Sequence, residues 1–119
     1  MKRPEGTSTG KIEIAVDHSG ADAIVRLKGL IDVDSSPDVR DRLQAILSTD
    51  PLPHAVNVEL GGVTSIEASG IATLIESLKV ARHRRIRFHL QGQGSVLQLF
   101  ESAGLLALFD KSLGGNGAS

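Results

Sequence analysis

The 119-residue chain contains no cysteine, tryptophan or tyrosine, and phenylalanine occurs only three times. Without cysteine it has no disulfides, no thiolate metal ligands and no cysteine nucleophile, which fits a reducing compartment. Because aromatic residues make up only 3% of the chain, the bases of a single-stranded nucleic acid would find few stacking partners. The composition therefore argues against thiol chemistry and against binding of single-stranded nucleic acid.

A strong net charge and a long apolar run are also missing. The 13 basic and 14 acidic side chains leave a formal net charge of −1, so no overall field attracts nucleic acid or a membrane surface. No apolar run approaches the roughly 20 residues that cross a bilayer, and residues 1–10 lack the hydrophobic stretch of a secretory signal. We expect a cytoplasmic protein with no direct membrane insertion, whose oligomeric state the sequence leaves open.

Alternating apolar and polar residues predict one α/β domain with the order β-β-α-β-α-β-α. Period-two alternation indicates four strands, at 12–16, 23–30, 55–60 and 86–90. Strands that alternate with helices pair in parallel, and the opening hairpin adds an antiparallel pair. We therefore predict a mixed sheet of four to five strands with helices mainly on one face, a domain over 11–111, and flexible ends at 1–10 and 112–119.

Capping signals and apolar stripes predict three helices. Ser36 is the expected N-cap of the first, with Pro37 at its first helical position. The second has an apolar stripe, and its predicted outer face carries Thr73, Glu76, Ser77 and Lys79. In the third helix Gly104 is the expected C-cap. The predicted stripes of the second and third helices are Ile71, Leu74, Ile75 and Leu78, and Val96, Leu99, Phe100 and Ala103.

Little in the chain suggests catalysis. The four histidines fall on separate elements, so we expect no metal site, and no cofactor is indicated. Ser69 lacks a nucleophile-elbow pattern, because Glu67 and Ala68 precede it. The Gly92-Gln93-Gly94 stretch is more simply a connection than a phosphate loop. The basic run at 82–87 is more simply explained by the helix dipole than by an acidic partner.

The most informative stretch joins the third predicted strand to the second predicted helix. Small residues gather there: Ser65, Ala68, Ser69, Gly70 and Thr73. They stand at the carboxyl end of a parallel strand, which is the edge where open α/β sheets bind ligands and partners. A turn of this kind also leaves backbone N–H groups free at the start of the helix. The stretch therefore predicts a docking site.

Three local patterns resemble the STAS family, the domain of bacterial anti-sigma-factor antagonists. The first is a strand that ends in Gly29-Leu30-Ile31-Asp32, and the second runs from Val56 through Glu67-Ala68-Ser69-Gly70 to Ile71. The third runs from Arg87 through the following helix to Gly104-Leu105. The resemblance covers roughly 11–109, with the elements in the same order.

The resemblance implies a non-enzymatic interaction module. In partner switching, an anti-sigma serine kinase of the GHKL type binds such a domain around the switch turn and phosphorylates a serine there. The added phosphate brings about −1.5 to −2 charges to a helix N-terminus inside an interface. The resemblance assigns partner binding to nine residues: Asp32, Asp34, Ser65, Glu67, Ala68, Ser69, Gly70, Thr73 and Glu76.

The chain departs from the family pattern at the phospho-acceptor. The usual turn is Asp-Ser-Ser-Gly or Asp-Ser-x-Gly, whereas this chain has Glu67-Ala68-Ser69-Gly70. Ala68 has no hydroxyl, which leaves three options: Ser69 accepts the phosphate instead, the antagonist stays unphosphorylated, or the protein does not switch by phosphate. The last includes the STAS subunit of a bacterial phospholipid-transport ABC complex, which binds the ATPase. A small hydrolase or nucleotide-binding protein is a further, weaker alternative.

Overall fold

The computed structural model describes residues 12–92, 94–102 and 104–105. Its elements are β1 (Ile12–Ser19), β2 (Asp22–Ile31), α1 (Ser36–Ile46), β3 (Ala55–Ile66), α2 (Ala68–His83), β4 (Arg87–Gln91) and α3 (Ser95–Ser102). The strands form one sheet in the order β1-β2-β3-β4, antiparallel in the first pair and parallel in the other two. The predicted element order and mixed sheet are confirmed. The predicted ends, 1–10 and 112–119, lie outside the described residues.

One face of the sheet carries the core. Val25, Val58 and Leu90 are buried and lie side by side on β2, β3 and β4. The same buried cluster includes residues from all three helices, among them Leu43, Leu74 and Phe100. The period-two alternation of the strands explains this arrangement, because it turns every second side chain toward the helices. The predicted placement of the helices on one face is confirmed.

The other face of the sheet is polar. Arg26 on β2 is exposed and its register partner on β3 is Glu59. The Arg26 guanidinium donates hydrogen bonds to the carboxylates of Asp17 and, at 3.1 Å, of Glu59. The hydrogen bond with Asp17 and the charge of Glu59 raise the pKa of Arg26 above its ordinary value, so the guanidinium remains charged. Because the three groups are exposed, the pairs contribute little to stability.

Several predicted element boundaries are wrong. β1 continues to Ser19 rather than ending at residue 16, and β4 covers Arg87–Gln91 rather than 86–90. β3 continues to Ile66 rather than ending at residue 60, because its ladder with β2 accommodates two register shifts, one of them between Glu59 and Gly62. The N-cap of α1 is Ser35 rather than Ser36. The predicted end of α3 is confirmed: Gly104 has a φ of 75°, and its N–H and that of Leu105 donate to carbonyls of the last helical turn.

The predicted faces of α2 and α3 need correction. Thr73 and Ser77 are buried, at 7% and 1% exposure, although we predicted them on the outer face of α2. Three large residues of the predicted stripe are only half-buried: Ile71, Ile75 and Leu78. The buried face of α2 is instead rich in small side chains, and a pattern based on large apolar residues misplaces it. On α3, Leu99 is 39% exposed rather than buried.

Candidate functional site

The candidate site lies where β2 and β3 end. Ile31 and Ile66 are register partners, and the Glu67 N–H donates to the Ile31 carbonyl at 2.8 Å. The two strands therefore end at the same level, and the segments that leave them begin side by side. One segment leads from Asp32 into α1, and the other leads from Glu67 into α2. The structure thus brings together the two parts of the predicted docking site.

Asp32 shapes the first of these segments. Its Oδ1 accepts hydrogen bonds from the backbone N–H groups of Asp34 and Ser35, both at 3.0 Å. The Asp32 N–H donates to Ser35 Oγ at 2.9 Å, and that hydroxyl donates to the Leu30 carbonyl at 2.9 Å. Asp32 is buried, at 8% exposure. It therefore acts as the acceptor of a tight turn and does not offer its side chain to a partner.

The same turn exposes Val33. This side chain is 67% exposed, more than any other large hydrophobic residue described, and Asp34 beside it is exposed as well. The sequence analysis missed Val33. The sequence does contain a signal for it. Val33 stands between two acidic residues directly after the end of β2, where the chain leaves the core. An exposed valine at this edge is a candidate contact for a protein partner.

In the second segment, backbone hydrogen bonds rather than side-chain hydrogen bonds form the start of α2. Glu67 is extended, with φ −98° and ψ 175°, and its side chain makes no capping hydrogen bond. Its carbonyl accepts the N–H groups of Gly70 and Ile71, at 2.9 and 3.1 Å. The Glu67 carboxylate and the Ala68 methyl group are both exposed. Residue 68, which the sequence resemblance aligns with the phospho-acceptor, is therefore open to solvent but carries no hydroxyl.

Ser69 is half-buried and contacts α1. Its Oγ lies 3.0 Å from Ser36 Oγ, and Ser36 Oγ lies 2.6 Å from the Asp32 carbonyl oxygen. A carbonyl can only accept, and a serine hydroxyl has one proton to give. Ser36 thus donates to Asp32, and the proton between the two serines comes from Ser69. The Ser69 hydroxyl is therefore engaged in the contact between the two helices.

Gly70 allows α2 to begin directly on the strand ends. A Cβ atom at this position would lie 2.5 Å from Ile31 Cγ2 and 2.7 Å from Ile66 Cγ1. Both distances are shorter than real carbon contacts, so only glycine fits without movement of its neighbours. Gly70 and Thr73 are both buried. Their roles are in packing, and they do not present side chains to a partner.

The five remaining predicted site residues and Val33 define an exposed surface. We use the name strand-end surface for these six residues: Val33, Asp34, Ser65, Glu67, Ala68 and Glu76. All six are exposed. The surface combines acidic groups with two small apolar side chains. Within the residues that the structure describes, no group of His, Asp or Glu could hold a metal ion, and no helix is long and apolar enough to span a membrane.

Comparison with known proteins identifies the family. The family model described as Mlab, STAS domain, matches residues 14–110. The chain belongs to the STAS family. The resemblance stated from the sequence is thereby confirmed. No curated protein matches this STAS domain at the level of sequence.

Solved structures show the same fold. This STAS domain matches an anti-sigma factor antagonist from Mycobacterium paratuberculosis with a TM-score of 0.72 and 17% identity, over 87% of each chain. It matches SpoIIAA in its unphosphorylated form with a TM-score of 0.68 and 15% identity, over 81% of this chain and 84% of the other; another structure describes SpoIIAA as a Bacillus cell fate determinant. A sulfate transporter family protein from Wolinella succinogenes matches with a TM-score of 0.62 and 18% identity, over 77% and 74%.

Proposed function

We propose that this STAS domain is a non-enzymatic, cytoplasmic regulator that binds a protein partner through the strand-end surface, in the manner of an anti-sigma-factor antagonist. The observation that carries the proposal is the exposed Ala68 at the start of α2. In the family pattern this position receives the phosphate that controls partner binding. Here the same position keeps its exposure and its place on the helix but has lost the group that could be modified.

The chemistry of the turn supports binding that phosphate does not control. An alanine methyl group cannot accept a phosphoryl group, so position 68 never gains the added negative charge. Ser69 is a poor substitute, because its hydroxyl is half-buried and donates to Ser36. A kinase would have to break this contact and turn the side chain outward. We therefore propose a permanently unphosphorylated antagonist whose partner is a GHKL-type anti-sigma kinase.

The same observations favour a second candidate, a STAS subunit that binds the ATPase of a phospholipid-transport ABC complex. A subunit held in a stable complex has no need of a group whose modification releases it. The missing hydroxyl at residue 68 and the engaged hydroxyl of Ser69 both fit that role. The two candidates use the same surface and differ in the partner.

A matched pair of substitutions tests the proposed surface. Ala68→Arg places a long cation on the strand-end surface at the start of α2, and we expect it to weaken partner binding at least about tenfold through steric exclusion. Ala45→Arg is the control, because Ala45 is also an exposed helical alanine but lies on α1 outside the surface. Binding of the full chain to the purified GHKL kinase and to the purified ABC ATPase of its source cell is measured by calorimetry.

Each result of this experiment has one meaning. Binding of the kinase with loss in Ala68→Arg supports the first candidate, and the same result with the ATPase supports the second. If both variants bind either partner as the parent chain does, the strand-end surface is not the docking site. If the parent chain binds neither partner, the proposed function itself is wrong.

Restoring the hydroxyl tests the loss of phosphate control. We expect Ala68→Ser to be phosphorylated at residue 68 by the anti-sigma kinase that binds the parent chain, since the position is exposed at a helix N-terminus. The parent chain should remain unmodified under the same conditions. Intact-mass and peptide mass spectrometry locate the phosphate. Phosphate on Ser69 of the parent chain would show that the adjacent serine has taken over the switch.

A further inference from the structure

A basic cleft lies at the end of the sheet opposite the strand-end surface. It has a volume of about 500 Å³. β3 and β4 begin here: Ala55 and Arg87 are register partners, and the Arg87 N–H donates to the His54 carbonyl at 3.0 Å. The cleft is lined by Asp22, Leu52, Pro53, His54, Ala55, Arg84, Arg85 and Arg87. β3 begins at this end and finishes beside the strand-end surface, so the two sites are separated by the length of β3.

Arginine cations outnumber the acidic groups that line the cleft. Three arginines line it, against one carboxylate, that of the half-buried Asp22. Arg85 and Arg87 are exposed, and within the described part of the chain neither forms an ion pair with an acidic side chain. Their guanidinium groups are therefore available to an anion. A helix dipole does not explain Arg87, because this residue lies on β4 rather than at a helix end.

Arg84 is held in place by the residues that directly follow α1. Its Nη1 donates to the Leu47 carbonyl at 2.8 Å and to Ser48 Oγ at 2.9 Å. These two bonds use the two protons of one nitrogen, and the three remaining N–H donors of the guanidinium have no protein acceptor among the described residues. The structure thus fixes the position of this cation beside the cleft while leaving part of its donor set free.

Arg85 occupies a backbone conformation that disfavours its own side chain. Its φ is 62°, and it is the one described residue other than glycine with a positive φ. The Arg85 N–H donates to Arg82 O and the Ile86 N–H to Ala81 O, which is the hydrogen-bonding pattern of a helix C-cap that usually contains glycine. Strain of this kind is concentrated at functional positions. An arginine at a backbone position that favours glycine indicates a role for its charge.

We propose that this cleft binds a small ligand that carries a diphosphate group. Arginine forks match the oxygens of phosphate in pairs, and several such oxygens together can engage Arg84, Arg85 and Arg87. The volume suits a small molecule rather than a protein surface. The site is independent of the strand-end surface and goes beyond the proposed function. A small phosphorylated ligand can therefore report to this domain at the end away from its partner.

Titration with pyrophosphate tests the site. We expect the full chain to bind one pyrophosphate at low ionic strength, as measured by calorimetry. Arg85→Gly and Arg87→Gln should each weaken this binding by about tenfold, because each removes charge-assisted hydrogen bonds to the anion. Arg42→Gln is the matched control: Arg42 is exposed on α1 and does not line the cleft, and its substitution should change the affinity less than about twofold.

A thermal melt of each variant excludes loss of fold as the cause of weaker binding, since Arg85→Gly relieves backbone strain and should melt no lower than the parent chain. Three results overturn the proposal. The first is no pyrophosphate binding by the parent chain. The second is equal binding by the parent chain and the two cleft variants, which would indicate diffuse attraction. The third is hexaglutamate binding at these arginines more tightly than pyrophosphate, which would make the cleft a site for acidic peptides.

Discussion

The two ends of the sheet are built in opposite ways. Beneath the strand-end surface, polar groups form hydrogen bonds with one another. The Asp32 carboxylate accepts hydrogen bonds from the turn that follows it, and the Ser36 hydroxyl connects the Asp32 carbonyl to Ser69. At the basic cleft, Arg85 and Arg87 form no ion pair with an acidic side chain in the part of the chain that the structure describes. At the first end these bonds fix the turns beneath an exposed surface of acidic and small apolar side chains, whereas the second end offers exposed cations. The first arrangement suits a protein partner with a complementary surface, and the second suits an anion.

The strand-end surface and the basic cleft also lie at opposite ends of α2. The helix begins beside Glu67 with an uncapped N-terminus and ends in basic residues. The Arg82 cation in the last turn offsets the helix dipole, so our first interpretation of the basic run fits this residue. It does not extend to Arg85, whose backbone is strained, or to Arg87 on the next strand. Only the structure separates these two groups of basic residues.

The largest effect that we expect is at Gly70, where a methyl group would test how tightly α2 is set on the strand ends. Gly70→Ala should lower the free energy of unfolding by about 3 kcal/mol, because its Cβ would clash with Ile31 and Ile66. Urea denaturation measures the change. Gly61→Ala is the control, since a Cβ there meets no atom within 4 Å, and it should change stability by less than about 0.5 kcal/mol. Equal effects would mean that α2 is free to shift.

A smaller loss is expected from Ser36→Ala. This change removes the hydroxyl that donates to Asp32 O and accepts from Ser69, and it should cost about 1–2 kcal/mol because the group is buried. Ser65→Ala, at an exposed position of the same end, should be close to neutral. The comparison is again made by urea denaturation. If the Ser36 variant is as stable as the parent, the contact between α1 and α2 does not depend on this network.

The smallest expected effect is an increase in stability, and it occurs at the basic cleft. Arg85→Gly should raise the free energy of unfolding by about 1 kcal/mol, because glycine adopts a φ of 62° without a Cβ penalty. Arg85→Lys keeps both the Cβ and the charge, and its stability should match that of the parent. A thermal melt of the three proteins compares them. If the glycine variant is not stabilised, the backbone at Arg85 carries no strain, and the contrast between the two ends weakens.

The sequence predicts the periodic pattern within one helix or strand better than it predicts the contacts between different elements. Strand alternation predicted the sheet, and a glycine after a helical stripe predicted the cap at Gly104. The contact between Ser36 and Ser69 joins residues 33 positions apart, and no local pattern indicates it. The buried Thr73 and Ser77 were misplaced because close packing uses small side chains, which a hydrophobic periodicity underweights. The backbone of Arg85 departs from the residue preference on which such predictions rest.

The fit of Gly70 between Ile31 and Ile66 has a kinetic consequence. With no room to slide, the first turn of α2 is fixed on the strand ends, and under the proposed function it would have its binding geometry before an encounter takes place. A preorganised surface loses little conformational freedom on association. Its capture rate would then be limited by collision and mutual orientation rather than by an ordering step, so a cell could adjust complex formation through the amount of either protein.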